Sequence, residues 1–326
     1  MQNNITPELF EDSIIEDLYF KGSDELLLGY IPSVFISASL PLRAVRGNSF
    51  KRKYNNIELC LNGSNGLPYG KYGRILLSVL TTHAVLEKNT NGSLVIVFES
   101  RKALLDELKL PLSRQNDIFN QLERFTSCTF SYKGVVETKF PKKIFKDGEL
   151  KYLGGTNSRK IIDIGSILFL QRFTRDISIS PDGNKKDIGI RIELSEGFVK
   201  LAKQHAVPID YNVYKNIEAP LGKDLYAWFV YRNNSIKENE EIFISRSSLI
   251  KQFMPFEKNM DKQERSHFQH IIKTIKTVKA NYYKNLNVTI RSDGSGILLK
   301  KSIPEVECND KRYIPVIDSV STVWFF

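Results

Sequence analysis

One segment of the chain recurs about 145 residues further along. The segment 98–105, FESRKALL, matches 243–250, FISRSSLI, with phenylalanine, serine, arginine and leucine at the same spacing. Both copies follow a short β-rich run, and both place a serine where its hydroxyl can accept an N–H bond from the first turn of a helix. A repeat of this length is the size of a domain. The sequence therefore predicts two related domains, residues 1–150 and 151–326.

Each copy has the same neighbours. An almost wholly apolar helix precedes it, and an apolar-proline-apolar break, an amphipathic helix and a strand follow it, the second time with a Gly-Ser turn that indicates a hairpin. The amphipathic helices are predicted at 113–125 and 261–282. This is the order of a winged-helix domain, whose last helix enters the major groove. We therefore predict an α+β fold of tandem winged-helix domains; two domains of this order without DNA contact are the alternative.

Positive charge is concentrated in the second copy. The chain has a net charge of +10, and residues 258–301 contain ten Lys and Arg against three acids. On a helix at 261–282 the polar side offers cations for phosphates, an amide for adenine and a hydroxyl, and it faces away from the apolar stripe. These predicted DNA-binding residues are Lys262, Arg265, Ser266, Gln269, His270 and Lys273, with Arg291, Lys300 and Lys301 predicted to flank the hairpin tip. A solvated polar face is the plain alternative.

The first copy is less basic. The outward side of its amphipathic helix carries the candidate DNA-binding residues Ser113, Asn116, Asn120 and Arg124. Asp117 lies among them and would repel phosphates, so a protein contact, including dimerisation, competes with DNA binding as the role of this face. Between the copies, the lysine-rich stretch 133–160 indicates an extended junction.

Three glycines and two basic residues precede the first apolar helix in the stretch GLPYGKYGR, residues 66–74. A phosphate-binding loop of the Walker type requires Gly-Lys followed by Ser or Thr, but Tyr72 follows Gly70-Lys71, and the glycine spacing also departs from the dinucleotide-binding pattern. The stretch is better explained as the entry to a buried helix. No cofactor is predicted.

The same stretch resembles plasmid-encoded RepA replication initiators. GLPYGKYGRILLSVLTTHAV, RIELSEGFVKLAKQHAVPIDYNVYKNI and PLGKDLYAWFVYR are similar to the entries of that family's two domains, and the resemblance covers roughly residues 45–305. It implies two winged-helix domains that bind repeated origin sequences (iterons) in double-stranded DNA. It also implies origin opening with the host replication initiator and replicative helicase, a monomer–homodimer equilibrium, and repression of the protein's own promoter with control of plasmid copy number.

The remaining predictions concern class and location. No apolar run is long enough for a membrane span, and the acidic start is unlike a signal peptide, so we expect a bacterial cytoplasmic protein without membrane contact. Three scattered cysteines and the pair His267 and His270 make a poor metal site, and we predict neither a bound metal nor an enzyme. Two alternatives stay open: a winged-helix transcriptional repressor without initiation activity, and a rolling-circle origin-nicking enzyme.

Overall fold

The computed structural model describes residues 28–306 except 55–56, 88–91, 147–148, 180, 183–184, 255–259 and 305. The helices and strands of this part follow one another along the chain as β1 Leu28–Pro32, α1 Ser33–Ser37, β2 Ser49–Tyr54, β3 Ile57–Gly63, α2 Gly70–Leu86, β4 Leu94–Phe98, α3 Arg101–Glu107, α4 Gln115–Ser127, β5 Cys128–Lys146, β6 Glu149–Leu168, β7 Leu170–Ile179, β8 Lys185–Leu194, α5 Glu196–His205, β9 Ala206–Asp210, α6 Tyr211–Asn216, α7 Pro220–Ser235, β10 Glu241–Ser245, α8 Arg246–Phe253, α9 Met260–Asn281, β11 Val288–Ile290 and β12 Gly296–Lys300. The predicted mixture of helices and strands in an α+β fold is confirmed.

The predicted entry to a buried helix is also confirmed. The stretch 66–69 leads into α2, most of whose side chains are buried. Gly66 has φ +74°, and a Cβ there would lie 2.3 Å from Nη1 of Arg124. The backbone conformation therefore favours glycine here, because the flexible end of the arginine can move aside but the positive φ remains. α2 packs against β1, α4, α5 and α7, so it forms the centre of the molecule.

The repeat is visible in how the strands pair. In the first unit, β4 pairs with β8 and β8 with β7; in the second, β10 pairs with β12 and β12 with β11, all antiparallel. Each sheet thus has the same order, with the last strand between the first and the middle one. The predicted serine caps are present, since Ser100 Oγ accepts from the N–H of Ala103 and Ser245 Oγ from that of Ser248, both at 3.2 Å.

Two predictions about the middle of the chain were wrong. The strand at 128–132 does not complete the first repeat, because β5 pairs with β3 and β6 in a different sheet, of order β2-β3-β5-β6. The stretch 133–160, predicted as an extended junction, lies in the long antiparallel pair β5 and β6. The hairpin that completes the first unit is β7–β8. The predicted boundary at 150/151 falls at the start of β6, and the division into two domains stays a prediction.

A buried ion pair joins α2 to α7. Arg74 Nε lies 2.6 Å from Asp224 Oδ1 and its Nη2 lies 2.7 Å from Oδ2, with side chains that are 2% and 5% exposed. Arg74 also donates to the carbonyl of Leu40 at 2.6 Å, and Ser39 Oγ donates to Asp224 at 2.8 Å. Arg52 Nη1 donates to Ser39 in turn, at 2.6 Å. The charges of Arg74 and Asp224 thus satisfy each other, as burial requires.

Lys223 is buried beside this pair. Its Nζ donates to the carbonyls of Tyr214 and Lys215 at the end of α6 and lies 4.5 Å from the centre of the Tyr214 ring. Burial, with the nearby charges of Lys71 and Arg74, lowers the pKa of Lys223 to about 7.

In the described part of the chain, no helix has the length and apolar character needed to cross a membrane.

Removing one partner of the buried pair should be costly. We expect Arg74→Ala to lower the free energy of unfolding by about 3–5 kcal/mol, because it leaves the carboxylate of Asp224 buried without its cation. Lys71→Ala, which removes an ion pair with the exposed Glu218, should cost at most about 1 kcal/mol. Equilibrium unfolding in urea measures both. Equal losses would show that the buried pair contributes no more than an exposed one.

The burial of Lys223 should make stability depend on pH. The pKa of Lys223 is about 7 in the folded chain against the ordinary 10.5 of a lysine, so between these values the unfolded chain binds more protons at this position. The free energy of unfolding should therefore rise with pH across this window. Lys223→Met removes the titration and keeps most of the side-chain volume. Its stability relative to the wild type should be highest near pH 7 and fall towards pH 10, whereas a constant difference would contradict the assignment.

Candidate nucleic-acid interface

Helix α9 has one buried side and one exposed, basic side. Phe268, Ile271, Ile275 and Val278 are buried as predicted, whereas Ile272 is only half-buried. Arg265, Gln269, Lys273 and Lys276 are exposed, and at 100° per residue they fall within about 80° of one another. The exposed side is therefore a narrow stripe of three cations and one amide, which we call the α9 stripe.

The hairpin β11–β12 stands beside this helix. Its turn, residues 291–295, closes with a bond from the N–H of Gly294 to the carbonyl of Arg291 at 3.1 Å. Asp293 Oδ1 accepts from the N–H and hydroxyl of Ser295 at 2.9 and 2.7 Å. These bonds from Ser295, with help from Arg291, lower the pKa of Asp293 to about 2. The turn is thus held in shape by a carboxylate that is ionised at neutral pH.

A cleft of about 510 Å³ separates the α9 stripe from the hairpin turn. All four residues of the stripe line it on one side, and Ser292, Asp293 and Gly294 on the other; Phe268, Ile272, Ile290 and Arg246 complete it. Four cations and one carboxylate therefore share one open cleft. Such a surface can bind phosphates through its cations and base edges through Gln269 and the arginines.

The structure places the other predicted residues of this unit differently. Ser266 and His270 are exposed but do not line the cleft, and the side chain of Lys262 lies outside the described residues. Lys300 is the last residue of β12 and Lys301 follows it, at the end opposite the turn. Lys300 forms an ion pair with Glu241 at 3.0 Å, and Lys301 donates to the carbonyl of Asn233 at 2.7 Å. The prediction that these two lysines flank the hairpin tip was wrong, because the five residues of β12 run from the turn to Lys300 and place both lysines at the far end of the strand.

In the first unit, Ser113, Asn116 and Asn120 are exposed as predicted. Arg124 is instead half-buried against the segment that precedes α2. Its guanidinium lies 5.2 Å from the centre of the Tyr69 ring, and Nη1 lies 3.5 Å from the carbonyl of Leu67. Arg124 thus packs against the chain itself, and the exposed candidates that remain, two on α4 and Ser113 in the turn before it, are polar and uncharged.

Sequence reasoning missed Arg246 and Lys276 as lining residues. Arg246 is the first residue of α8, and its N–H donates to the carbonyl of Ser295 at 2.7 Å, which ties α8 to the hairpin turn. The signal was present, because Ser-Arg occurs in both copies of the repeated segment. In the first unit, Arg175 on β7 lies 4.2 Å from the centre of the Phe119 ring on α4. The sequence could not show that β7 returns to this helix.

No protein-family model matches the chain, and no curated protein matches it. Among solved structures, the chain is similar to domains 2 and 3 of RctB. In a crystal structure of the selenomethionine derivative, the identity is 13%, the match covers 85% of this chain and 99% of that chain, and the TM-score is 0.46. In a second crystal structure of the same domains, the identity is again 13%, the coverage is 82% and 96%, and the TM-score is 0.45.

The hairpin should depend on Gly296. A Cβ there would lie 2.1 Å from the carbonyl oxygen of Ile244 on the neighbouring strand, so Gly296→Ala must push β12 away from β10. We expect a loss of several degrees in the melting temperature. Gly294→Ala is the matched control, because nothing lies within 4 Å of its Cβ and only its φ of +69° opposes the change, at a cost of about 1 kcal/mol. Equal losses of melting temperature in the two variants would mean that β12 does not pack tightly against Ile244 at position 296.

Proposed function

We propose that this chain is a DNA-binding replication initiator that recognises repeated origin sequences in duplex DNA through two winged-helix units. The observation that carries the proposal is the cleft between α9 and the β11–β12 hairpin. It combines cations on the α9 stripe with an amide at Gln269, the groups that contact phosphates and base edges in the major groove.

The topology supports the assignment of the fold. Each unit has a strand, two helices and a two-stranded hairpin in this order, with β5 and β6 inserted in the first unit, and the hairpin joins the first strand in one sheet. α9 is 22 residues long, about 33 Å at 1.5 Å per residue. Its basic side is exposed along much of that length. A helix of this kind can lie in the major groove while the adjacent hairpin contacts the backbone.

The role in initiation rests on the sequence. The segments that resemble plasmid RepA initiators form α2, with the stretch that leads into it, and the run from β8 to α7. On this basis we propose binding to iterons, recruitment of the host initiator and replicative helicase, a monomer–homodimer equilibrium, and repression of the protein's own promoter in the bacterial cytoplasm. Asn116 and Asn120 on α4, with Ser113 in the turn before it, form the corresponding surface of the first unit.

The proposal is tested by selecting bound fragments from a random duplex library near physiological salt and footprinting the winners. Two winged-helix units should protect two successive major-groove positions on one face of the DNA. Tandem copies of the selected sequence next to A·T-rich DNA would support initiation. A lone inverted repeat would support a repressor instead, and no enrichment would reject duplex recognition altogether.

The cleft predicts the effect of single substitutions. Gln269→Ala and Lys273→Ala should each weaken binding to the selected site by about 1–3 kcal/mol, because each removes a contact in the groove. Lys200→Ala is the control, since this exposed lysine lies on α5 and does not line the cleft. Fluorescence anisotropy at one salt concentration compares the three. Unchanged affinity of both cleft variants would reject this face as the DNA contact.

We further propose that the protein acts without cleaving DNA. A rolling-circle enzyme uses a His-apolar-His metal pair beside a nucleophilic tyrosine, whereas His267 and His270 are three residues apart on α9. His267 is half-buried and His270 is exposed. Incubation of supercoiled origin plasmid with the protein and magnesium or manganese should leave it unnicked. Nicking that purifies with the protein would overturn this part of the proposal.

A further inference from the structure

Two cations and two carboxylates surround the hairpin turn at one end of the cleft. Arg246 Nε lies 2.9 Å from Glu264 Oε1, and Arg291 Nη2 lies 3.2 Å from Asp293 Oδ2. The backbone bond from Arg246 to Ser295, and the bonds from Ser295 to Asp293, connect the two pairs. Both arginines that border the turn are therefore paired within the protein.

The other cations of the cleft are not paired with carboxylates of the described residues. In the part of the chain that the structure describes, no ion pair involves Arg265, Lys273 or Lys276. The cleft thus has two electrostatic parts. The middle is cationic, and the end at the turn is balanced by the two carboxylates.

The two pairs contribute little to stability. The side chains of Arg246 and Glu264 are 32% and 41% exposed, and those of Arg291 and Asp293 are 45% and 52% exposed. Ion pairs at such exposure are screened by water and salt. The shape of the turn depends on the Asp293 oxygen as an acceptor for Ser295, a role that the side-chain oxygen of asparagine also fills. Folding therefore requires neither the negative charge of Glu264 nor that of Asp293.

We propose that Glu264 and Asp293 act as internal substitutes for DNA phosphates, so that binding exchanges two ion pairs within the protein for two pairs with the DNA. This inference deepens the proposed function, on which it rests. When Arg246 or Arg291 turns to a phosphate, its former carboxylate partner stays beside the DNA and cancels the added positive charge, so the DNA keeps its condensed cation. The net ion release from each exchange is close to zero.

The consequence is a limit on indiscriminate binding. Without the acids, the four cations that line the cleft and Arg291 beside it would bind any polyanion strongly, because phosphate contacts carry no sequence information. With two arginines balanced, contacts from Gln269 and the middle of the cleft form a larger share of the total binding free energy. The acids therefore restrain non-specific affinity in the free protein.

The experiment uses Glu264→Gln and Asp293→Asn in the full chain, with Glu218→Gln as the control. Glu218 pairs with Lys71 at the surface, outside the cleft. Affinity for a random-sequence duplex is measured over a series of salt concentrations. Each cleft variant should steepen the slope of log affinity against log salt by about 0.9, because the arginine then neutralises a phosphate without an opposing carboxylate and one more condensed cation is released. That change corresponds to about an eightfold higher affinity at 0.1 M salt when the lines meet at 1 M. The control should match the wild type.

Heparin serves as a second probe, so that the two proposals can fail separately. If the wild type binds no duplex but both cleft variants elute from heparin at higher salt than the wild type and Glu218→Gln, the charge balance stands and the proposed function fails. If the wild type binds duplex and the slopes of the cleft variants equal that of the wild type, the charge balance fails and the function stands. Equal steepening by all three variants would also overturn it, because net charge alone would then explain the effect.

Discussion

The arrangement of the molecule depends on the buried pair of Arg74 and Asp224, which are 150 residues apart in the chain. A buried charge without a partner is far more costly than most single contacts, so α2 and α7 are constrained to the one relative position in which both are paired. The same arginine holds the carbonyl of Leu40, and Ser39 reaches Asp224, so the segment before β2 is constrained as well. β1 and β9 pair across the same region and add backbone bonds between distant parts of the chain.

Within this frame the same unit occurs twice, in different surroundings. The second unit is continuous, whereas β5 and β6 interrupt the first and extend a separate sheet. The transition between the two sheets is at Phe169, between β6 and β7. Its ring lies 4.5 Å from that of Phe130, 5.0 Å from that of Phe125 and 5.4 Å from that of Phe35. An aromatic residue buried against this many neighbours fixes the point at which the chain leaves one sheet and enters the next.

The two units therefore differ in what they present. In the second, a long basic helix and a tight hairpin enclose a cleft whose cations are partly balanced by Glu264 and Asp293. In the first, the exposed candidates are uncharged, the acids Asp117 and Glu123 lie on the same helix, and Arg124 packs on Tyr69. The repeated topology thus presents two surfaces of different charge.

The sequence alone determined the repeat and the helices within it, because apolar periodicity and serine caps act over a few residues. It also determined which side of α9 is basic, since that follows from the helical period. The strand partners were decided only by the tertiary structure. Neighbouring strands in sequence usually pair, so the strand after α4 was assigned to the first unit, but β5 finds its partners in β3 and β6. The sequence also did not show the partners of the charged side chains, because these partners are distant in the chain. Arg124 bonds to residues almost sixty positions away, and Arg246 reaches the hairpin turn only because a backbone bond between distant segments places it there.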